Sequence, residues 1–270
     1  MHVRRTALAL LLAALSGLAC AQAQKAEPAP FVPESGQAGK DVVWVPTPQV
    51  LVDKMLDMAK VTPADFVMDL GSGDGRTVIT AAKRGARALG IEYNPDMVAL
   101  SRRNADKAGV SATAQFVQAD IFQSDISKAT VITLFLLPDL NLRLRPTILS
   151  LKPGTRIVSN SFKMGDWEPD ETFDLKCESF CTAYLWIVPA KVEGKWRLAQ
   201  GELTLKQEFQ KLTGTLRTGA SSLAISAGTL HGDEISFTAG GAEYRGRVNG
   251  SAIEGTVKTG AGALPWSARR

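Results

Sequence analysis

Histidine is almost missing from this chain: there are two among 270 residues, His2 and His231. His2 stands in a segment that reads as removable, so a single imidazole remains, and neither a histidine nucleophile nor histidine metal chemistry is supported. Cysteine is scarce as well. Cys177 and Cys181 have no second pair and no histidine near them, so no metal ligand set is expected. An excess of one charge is also lacking, with 31 basic against 27 acidic residues. Arg4 and Arg5 supply two of the four net positive charges, which leaves about +2 and no electrostatic footprint for nucleic acid. The apolar run Thr6 to Ala19 is too short to span a bilayer comfortably, and no transmembrane span is expected in the mature chain.

What is present begins with a targeting pattern. Arg4-Arg5, the apolar run, and the small-residue sites Ala19-Cys20-Ala21 and Ala21-Gln22-Ala23 predict a secretory signal peptide over 1–23 and an exported, periplasmic or secreted protein. Lipidation at Cys20 is the lesser alternative, because Gly17 stands where a lipobox carries a large aliphatic residue; a twin-arginine signal fits loosely. Residues 24–40, rich in proline, alanine and glycine, read as a flexible leader. Two readings of the later Cys-x-x-x-Cys pair stay open, a disulfide and two free thiols.

Over residues 41–196 short β-branched runs alternate with amphipathic segments. Strands are expected at Phe66 to Leu70, Ala86 to Glu92, Ala114 to Gln118, Thr130 to Leu137 and Arg156 to Ser161. Helices are expected at Val50 to Ala59, after Thr47-Pro48 as cap and first position, and at Arg76 to Arg84, Pro95 to Ala108 and Leu140 to Leu149, the last with Pro146 kinking or splitting it. Phe173 to Cys177 and Ala183 to Val188 read as an antiparallel pair. This is an α/β domain with a largely parallel sheet and helices on both faces. After residue 197 helical periodicity vanishes. Alternating segments at Leu203 to Phe209, Leu212 to Leu216, Glu234 to Phe237, Tyr244 to Val248 and Ala252 to Val257, separated by Gly-Asp, Gly-Gly and Asn-Gly, predict a small antiparallel β-domain over 197–270, a meander or partial barrel.

The chemistry concentrates at Asp69-Leu70-Gly71-Ser72-Gly73-Asp74-Gly75. A strand ends in an acid, and glycines at alternate positions lead into a helix, leaving backbone N–H groups directed at open space where a ligand can approach. The dinucleotide fingerprint is Gly-x-Gly-x-x-Gly without that acid. A carboxylate here repels a pyrophosphate and welcomes a cationic end, such as the amino group and sulfonium of S-adenosyl-L-methionine. Glu92, 23 residues after Asp69 at the end of the second strand, suits a pair of ribose hydroxyls. Asp120, at the third strand's end, suits an adenine amino group, with Ile121 or Phe122 packing on the ring.

These three acids, in register at neighbouring strand ends, resemble the cofactor set of class I S-adenosylmethionine-dependent methyltransferases. The resemblance covers about residues 41–190 and implies a Rossmann-like sheet, S-adenosyl-L-methionine as cofactor, and Gly71, Ser72, Gly73 and Gly75 beside it. Val45-Pro46-Thr47-Pro48, the run Thr130 to Pro138, Leu142-Arg143-Leu144-Arg145-Pro146 and Pro153 to Ser159 are similar to a narrower bacterial group. That group is related to the mitochondrial lysine methyltransferases of the ATP synthase c-subunit and the adenine nucleotide translocase. It implies N-methylation of a protein lysine side chain. The signal peptide and the β-domain depart from those enzymes, and leave two rivals: an exported S-adenosylmethionine- or nucleoside-binding module without turnover, and a methyltransferase for a small-molecule or lipid amine. An envelope partner is the expected use of the β-domain.

The fourth strand ends in Leu136-Leu137-Pro138-Asp139, with no Asn/Asp-Pro-Pro-Tyr, which argues against nucleic acid bases as acceptors. Lysine transfer needs apolar walls that favour the neutral amine, and Phe135, Leu137 and Pro138 are the candidates. Thr47 has two readings, a helix cap and a residue folded over the methionine end of the cofactor. Trp167 reads as part of a lid loop, Trp186 as sheet packing, and Arg143 and Arg145 as solvated helix charges. No catalytic residue is assigned.

Overall fold

The computed structural model describes residues 31–270; the signal peptide, Cys20 and the leader's first residues lie outside them. The α/β part is one sheet of seven strands in the order β3-β2-β1-β4-β5-β7-β6. Its parallel strands are β1 (Phe66–Leu70), β2 (Arg87–Glu92), β3 (Ala114–Gln118), β4 (Val131–Leu134) and β5 (Arg156–Asn160). The strands β6 (Glu171–Asp174) and β7 (Thr182–Ile187) pair antiparallel, and β7 adds antiparallel to β5. The order reverses direction between β1 and β4. Such a switch point opens a crevice at the carboxyl ends of the strands.

Four helices cover the sheet unequally among the described residues. Helices α1 (Gln49–Met58), α2 (Arg76–Lys83) and α3 (Pro95–Lys107) pack on one face, where Leu51, Met55, Val78 and Val98 join Val67, Val131 and Val158 in one core. Helix α4 (Pro138–Ile148) covers the other, with Leu144 and Ile148 against Ile132, Ile157 and Trp186. Strand β4 stops at Leu134, three residues short of the apolar run. Phe135 to Leu137 leave the sheet because Pro138 opens α4 at its first position, where its fixed φ and missing N–H cost nothing. Pro146 does not split α4, which runs unbroken to Ile148. It lies in the last turn, where few intrahelical bonds depend on it.

The later segment closes completely. Eight antiparallel strands, β8 (Gly194–Leu198), β9 (Gly201–Glu208), β10 (Lys211–Thr218), β11 (Ser221–His231), β12 (Glu234–Ala239), β13 (Ala242–Asn249), β14 (Ala252–Thr259) and β15 (Gly262–Arg269), form a barrel in the order β10-β11-β12-β13-β14-β15-β8-β9. Strands β8, β11 (Ser221–His231) and β15 were not expected from the sequence; their polar and glycine-rich composition hides the alternation. The barrel is filled by its own side chains, Trp196, Leu203, Leu230, Phe237 and Ile253 among them, and so is a packed core. Gly232 and Gly250 take positive φ (63° and 58°) at the two echoing hairpin turns.

Trp167 corrects an expectation. It is wholly buried, stacks on Phe209 at 5.9 Å, and donates its Nε1–H to Gln210 Oε1. It joins the sheet to the barrel and has no freedom to act as a lid. Trp186 packs in the sheet and donates to the Trp167 carbonyl. No helix of the described residues is long and apolar enough to cross a membrane.

Candidate active site

Gly71, Gly73 and Gly75 all sit at positive φ (83°, 54° and 84°), so the turn after β1 needs glycine for its backbone first. A Cβ on Gly75 would also stand 2.8 Å from Phe116 and 3.0 Å from Ser101, which places this glycine at the helix–strand contact and outside the cavity. The loop's N–H groups are not directed at open space as expected. Gly71 and Ser72 donate to the Ile91 carbonyl, Gly73 to Glu92 Oε2, and Gly75 to the Ser72 carbonyl. Helix α3 holds the loop's carbonyls, Ser101 Oγ donating to Gly73 and Asn104 Nδ2 to Asp74. With those four donors used, the loop makes a poor phosphate cradle. What it presents is shape, with acids beside it.

Those acids line one cavity of about 510 Å³, a volume typical of a small-molecule or cofactor site. Asp69 is nearly buried at the end of β1 and accepts from Thr133 Oγ1 at 2.6 Å. Burial, reinforced by the charges of Glu92 and Asp74, pushes its carboxyl up to about 7. Glu92 is oriented by two backbone donors, Gly73 on Oε2 and Asn94 on Oε1, each at 2.9 Å. Each oxygen keeps lone-pair capacity for a further donor. Asp120 accepts from Phe122 N and from Lys40 Nζ at 2.6 Å, and Lys40 holds it below the usual carboxylate range.

Ile121 and Ser72 line the cavity too; Ser72 Oγ is buried with no hydrogen-bond partner among the described residues. Phe122 does not. It lies under the Arg143 guanidinium at 3.7 Å, and Arg143 itself is exposed on α4, as a solvated charge would be. Arg145 is not one, since it pairs with Asp166 and donates to the Met164 carbonyl.

Thr47 is not a helix cap: Pro48 holds the cap position and makes no side-chain cap bond. Thr47 is buried in the cavity wall, its Oγ1 accepting from Asn160 Nδ2 and its carbonyl from Arg76, which in turn pairs with Asp74. Phe135 and the exposed Leu137 line the cavity beyond β4, whereas Pro138 does not, because it turns outward to begin α4.

A strap over the cavity, unmarked in the sequence, lies at residues 36–44. Gly36 to Trp44 form a hairpin closed by Gly36 N–H to Trp44 O and Trp44 N–H to Gln37 O, so the last residues read as leader are held in place. Trp44 would be 2.5 Å from a Cβ on Gly73, and Lys40 reaches both Asp120 and the Tyr93 ring. Phe162, after β5, and Phe180, before β7, were missed as well. The rule that ligands collect at carboxyl ends of parallel strands singles out the position of Phe162; nothing comparable marked Phe180.

Comparison with known proteins agrees with this geometry. Residues 69–171 match the family described as the ANTKMT methyltransferase domain. A Saccharolobus islandicus protein named protein-lysine N-methyltransferase is 42% identical over 151 residues, covering 54% of this chain and 94% of that protein. The mouse lysine N-methyltransferase of the ATP synthase c-subunit is 35% identical over 48% of this chain, and the match spans about half (52%) of that enzyme's own length. A solved structure described as an RNA methyltransferase from Salinibacter ruber, in complex with S-adenosyl-L-homocysteine, is 50% identical with a TM-score of 0.53, covering 55% of this chain and 96% of that one.

Proposed function

The chain belongs to the family of protein-lysine N-methyltransferases represented by the Saccharolobus islandicus protein, and from that we propose that it transfers a methyl group from S-adenosyl-L-methionine to a lysine side chain of a protein. The observation that carries this is the order of groups along one cavity. Strands β3, β2 and β1 bring Asp120, Glu92 and Asp69 in sequence, and β4 continues with apolar Phe135 and Leu137. The acceptor set fits the cofactor: acids for an amino group, a ribose and an adenine amine, with the N–H groups of Gly71, Ser72, Gly73 and Gly75 already bonded within the protein.

When bound, S-adenosyl-L-methionine supplies a sulfonium methyl group open to in-line attack by an amine. Asp69 holds the ligand's amino end, Glu92 accepts from its ribose hydroxyls, and Asp120 accepts from the adenine amine. Ile121 packs on the ring, and Thr47 closes the methionine end. Phe135 and Leu137 exclude water and lower the acceptor ammonium's pKa, so that the neutral amine is presented. The remaining work is positioning, and the proton leaves to solvent.

The calorimetric test is direct. Protein titrated with S-adenosyl-L-methionine binds it, and Asp69→Ala and Glu92→Ala lose binding; no binding by the wild type at millimolar ligand sinks the reading. The Salinibacter protein, described as an RNA methyltransferase, raises RNA as a rival acceptor. Incorporation of labelled methyl into RNA in preference to lysine would decide for it.

Export belongs to the same proposal. It is supported by the signal pattern and by the Cys177–Cys181 disulfide, a bond that persists in oxidising compartments. Cytoplasmic retention of a reporter fused after residue 40 would contradict it. The barrel, filled by its own side chains, suits contact with an envelope partner through its outer surface.

A further inference from the structure

Three phenylalanine rings meet at the far end of the cavity from Asp120. Phe135 lies 5.4 Å from Phe180 and 6.1 Å from Phe162, and Phe162 lies 6.1 Å from Phe180. They come from the ends of β4, β5 and β7, the strands that follow β1 in the sheet order. Because β7 runs antiparallel to β5, the residue before it arrives at the same sheet edge as the residues after β4 and β5.

Phe135 and Phe162 are half-buried, one residue past the end of β4 and two past the end of β5. Phe180 is 40% exposed, with left-handed φ of 56°, inside the five-residue ring closed by Cys177–Cys181. A phenylalanine rarely holds that backbone conformation unaided. The Cα–Cα distance of 5.8 Å suits the bridge, and Leu175 N–H to Cys181 O ties the loop's two arms. Phe180 and both cysteines lie beyond the stretch that matches the family, residues 69–171.

We infer that Phe135, Phe162 and Phe180 form the acceptor-amine channel, and that the Cys177–Cys181 loop sets its third wall. This rests on the methyltransferase reading above. Aromatic faces pack on the methylene stem of the acceptor lysine by apolar contact and keep water from its neutral amine. The two cysteines are positioning residues that act through Phe180. Opening the bridge adds two electrons and two protons across the S–S bond, supplied by a dithiol that closes to its own disulfide. Phe180 then leaves its left-handed position, and the channel loses a wall while the cofactor end is untouched.

The probes are Nα-acetyl-lysine N-methylamide as acceptor and S-adenosyl-L-homocysteine as cofactor-site ligand. Phe180→Ala raises the acceptor KM about tenfold, the scale of a lost aromatic wall, and leaves the S-adenosyl-L-homocysteine Kd within about twofold. Cys177→Ser/Cys181→Ser does the same, and Phe180→Tyr restores the wild-type KM. Dithiothreitol raises KM in the wild type and does not change it further in the double variant. An unchanged KM in Phe180→Ala, or a reduction effect that falls on the S-adenosyl-L-homocysteine Kd, overturns the inference. So does a wild type that binds S-adenosyl-L-homocysteine but methylates no lysine amine. A wild type that binds no S-adenosyl-L-homocysteine instead overturns the methyltransferase reading itself.

Discussion

Replacing Asp69 by asparagine should move stability and binding in opposite directions. Asp69 is 7% exposed, and burial has raised its carboxyl from 3.8 to about 7. A raised carboxyl favours the folded state only while protonated, so its contribution is full below the unfolded value and is lost as pH rises through about 7. Above both values the difference amounts to roughly 4 kcal/mol of cost to the ligand-free fold; at pH 5 it is about 2. Asparagine carries no charge, and its Oδ1 keeps the bond from Thr133 Oγ1. Asp69→Asn should therefore be more stable than the wild type at pH 8, by up to about 4 kcal/mol, and the advantage should shrink by about 2 to 3 kcal/mol at pH 5. The same change removes the charge that meets the ligand's ammonium, and affinity for S-adenosyl-L-methionine should fall about a hundredfold, a charged hydrogen bond's worth. Urea denaturation at the two pH values and calorimetric titration read both effects. A variant less stable than the wild type at pH 8, or one equally stabilised at pH 5 and pH 8, refutes the reasoning.

Other perturbations separate the parts of the site. Glu92→Gln should weaken S-adenosyl-L-homocysteine binding about ten- to a hundredfold by calorimetry, because its amide nitrogen must face one of two backbone N–H donors and a ribose hydroxyl loses a charged acceptor. Gly75→Ala should lower the thermal midpoint, at a cost of about 1–3 kcal/mol, since φ of 84° and the Phe116 contact both oppose a side chain. Lys40→Met should tighten S-adenosyl-L-methionine binding a few-fold, because the ammonium that occupies Asp120 is removed; weaker binding would mean that Lys40 helps to hold the ligand.

The sequence made the three acids legible because each ends a strand whose partners have clear alternation and turn signals. Asp69, Glu92 and Asp120 needed only the parallel order to meet. Asp69's neighbours were less visible. Thr133 sits inside an apolar run, and its hydroxyl matters only once β4 lies beside β1. Thr47 stays open between a cap and a cavity residue in the sequence, because threonine before proline suits a cap; Asn160, 113 residues away, is what holds it in the wall. The strap was misread because glycine and proline mark both leaders and tight hairpins. Phe180 carried no pattern, since its place depends on a disulfide and an antiparallel strand joining a parallel sheet. The barrel's closure was hidden for a related reason: β8 and β15 meet across about 70 residues, and no local alternation reports that pairing.

Transfer of a methyl group to lysine can be read by mass. Protein incubated with S-adenosyl-L-methionine carrying a deuterated methyl group and an envelope protein extract, then digested and read by tandem mass spectrometry, tests it most directly. Deuterated methyl groups should appear on lysine Nζ and depend on Glu92 and Asp69. Label found in RNA or in small-molecule amines, with none on lysine, would contradict it.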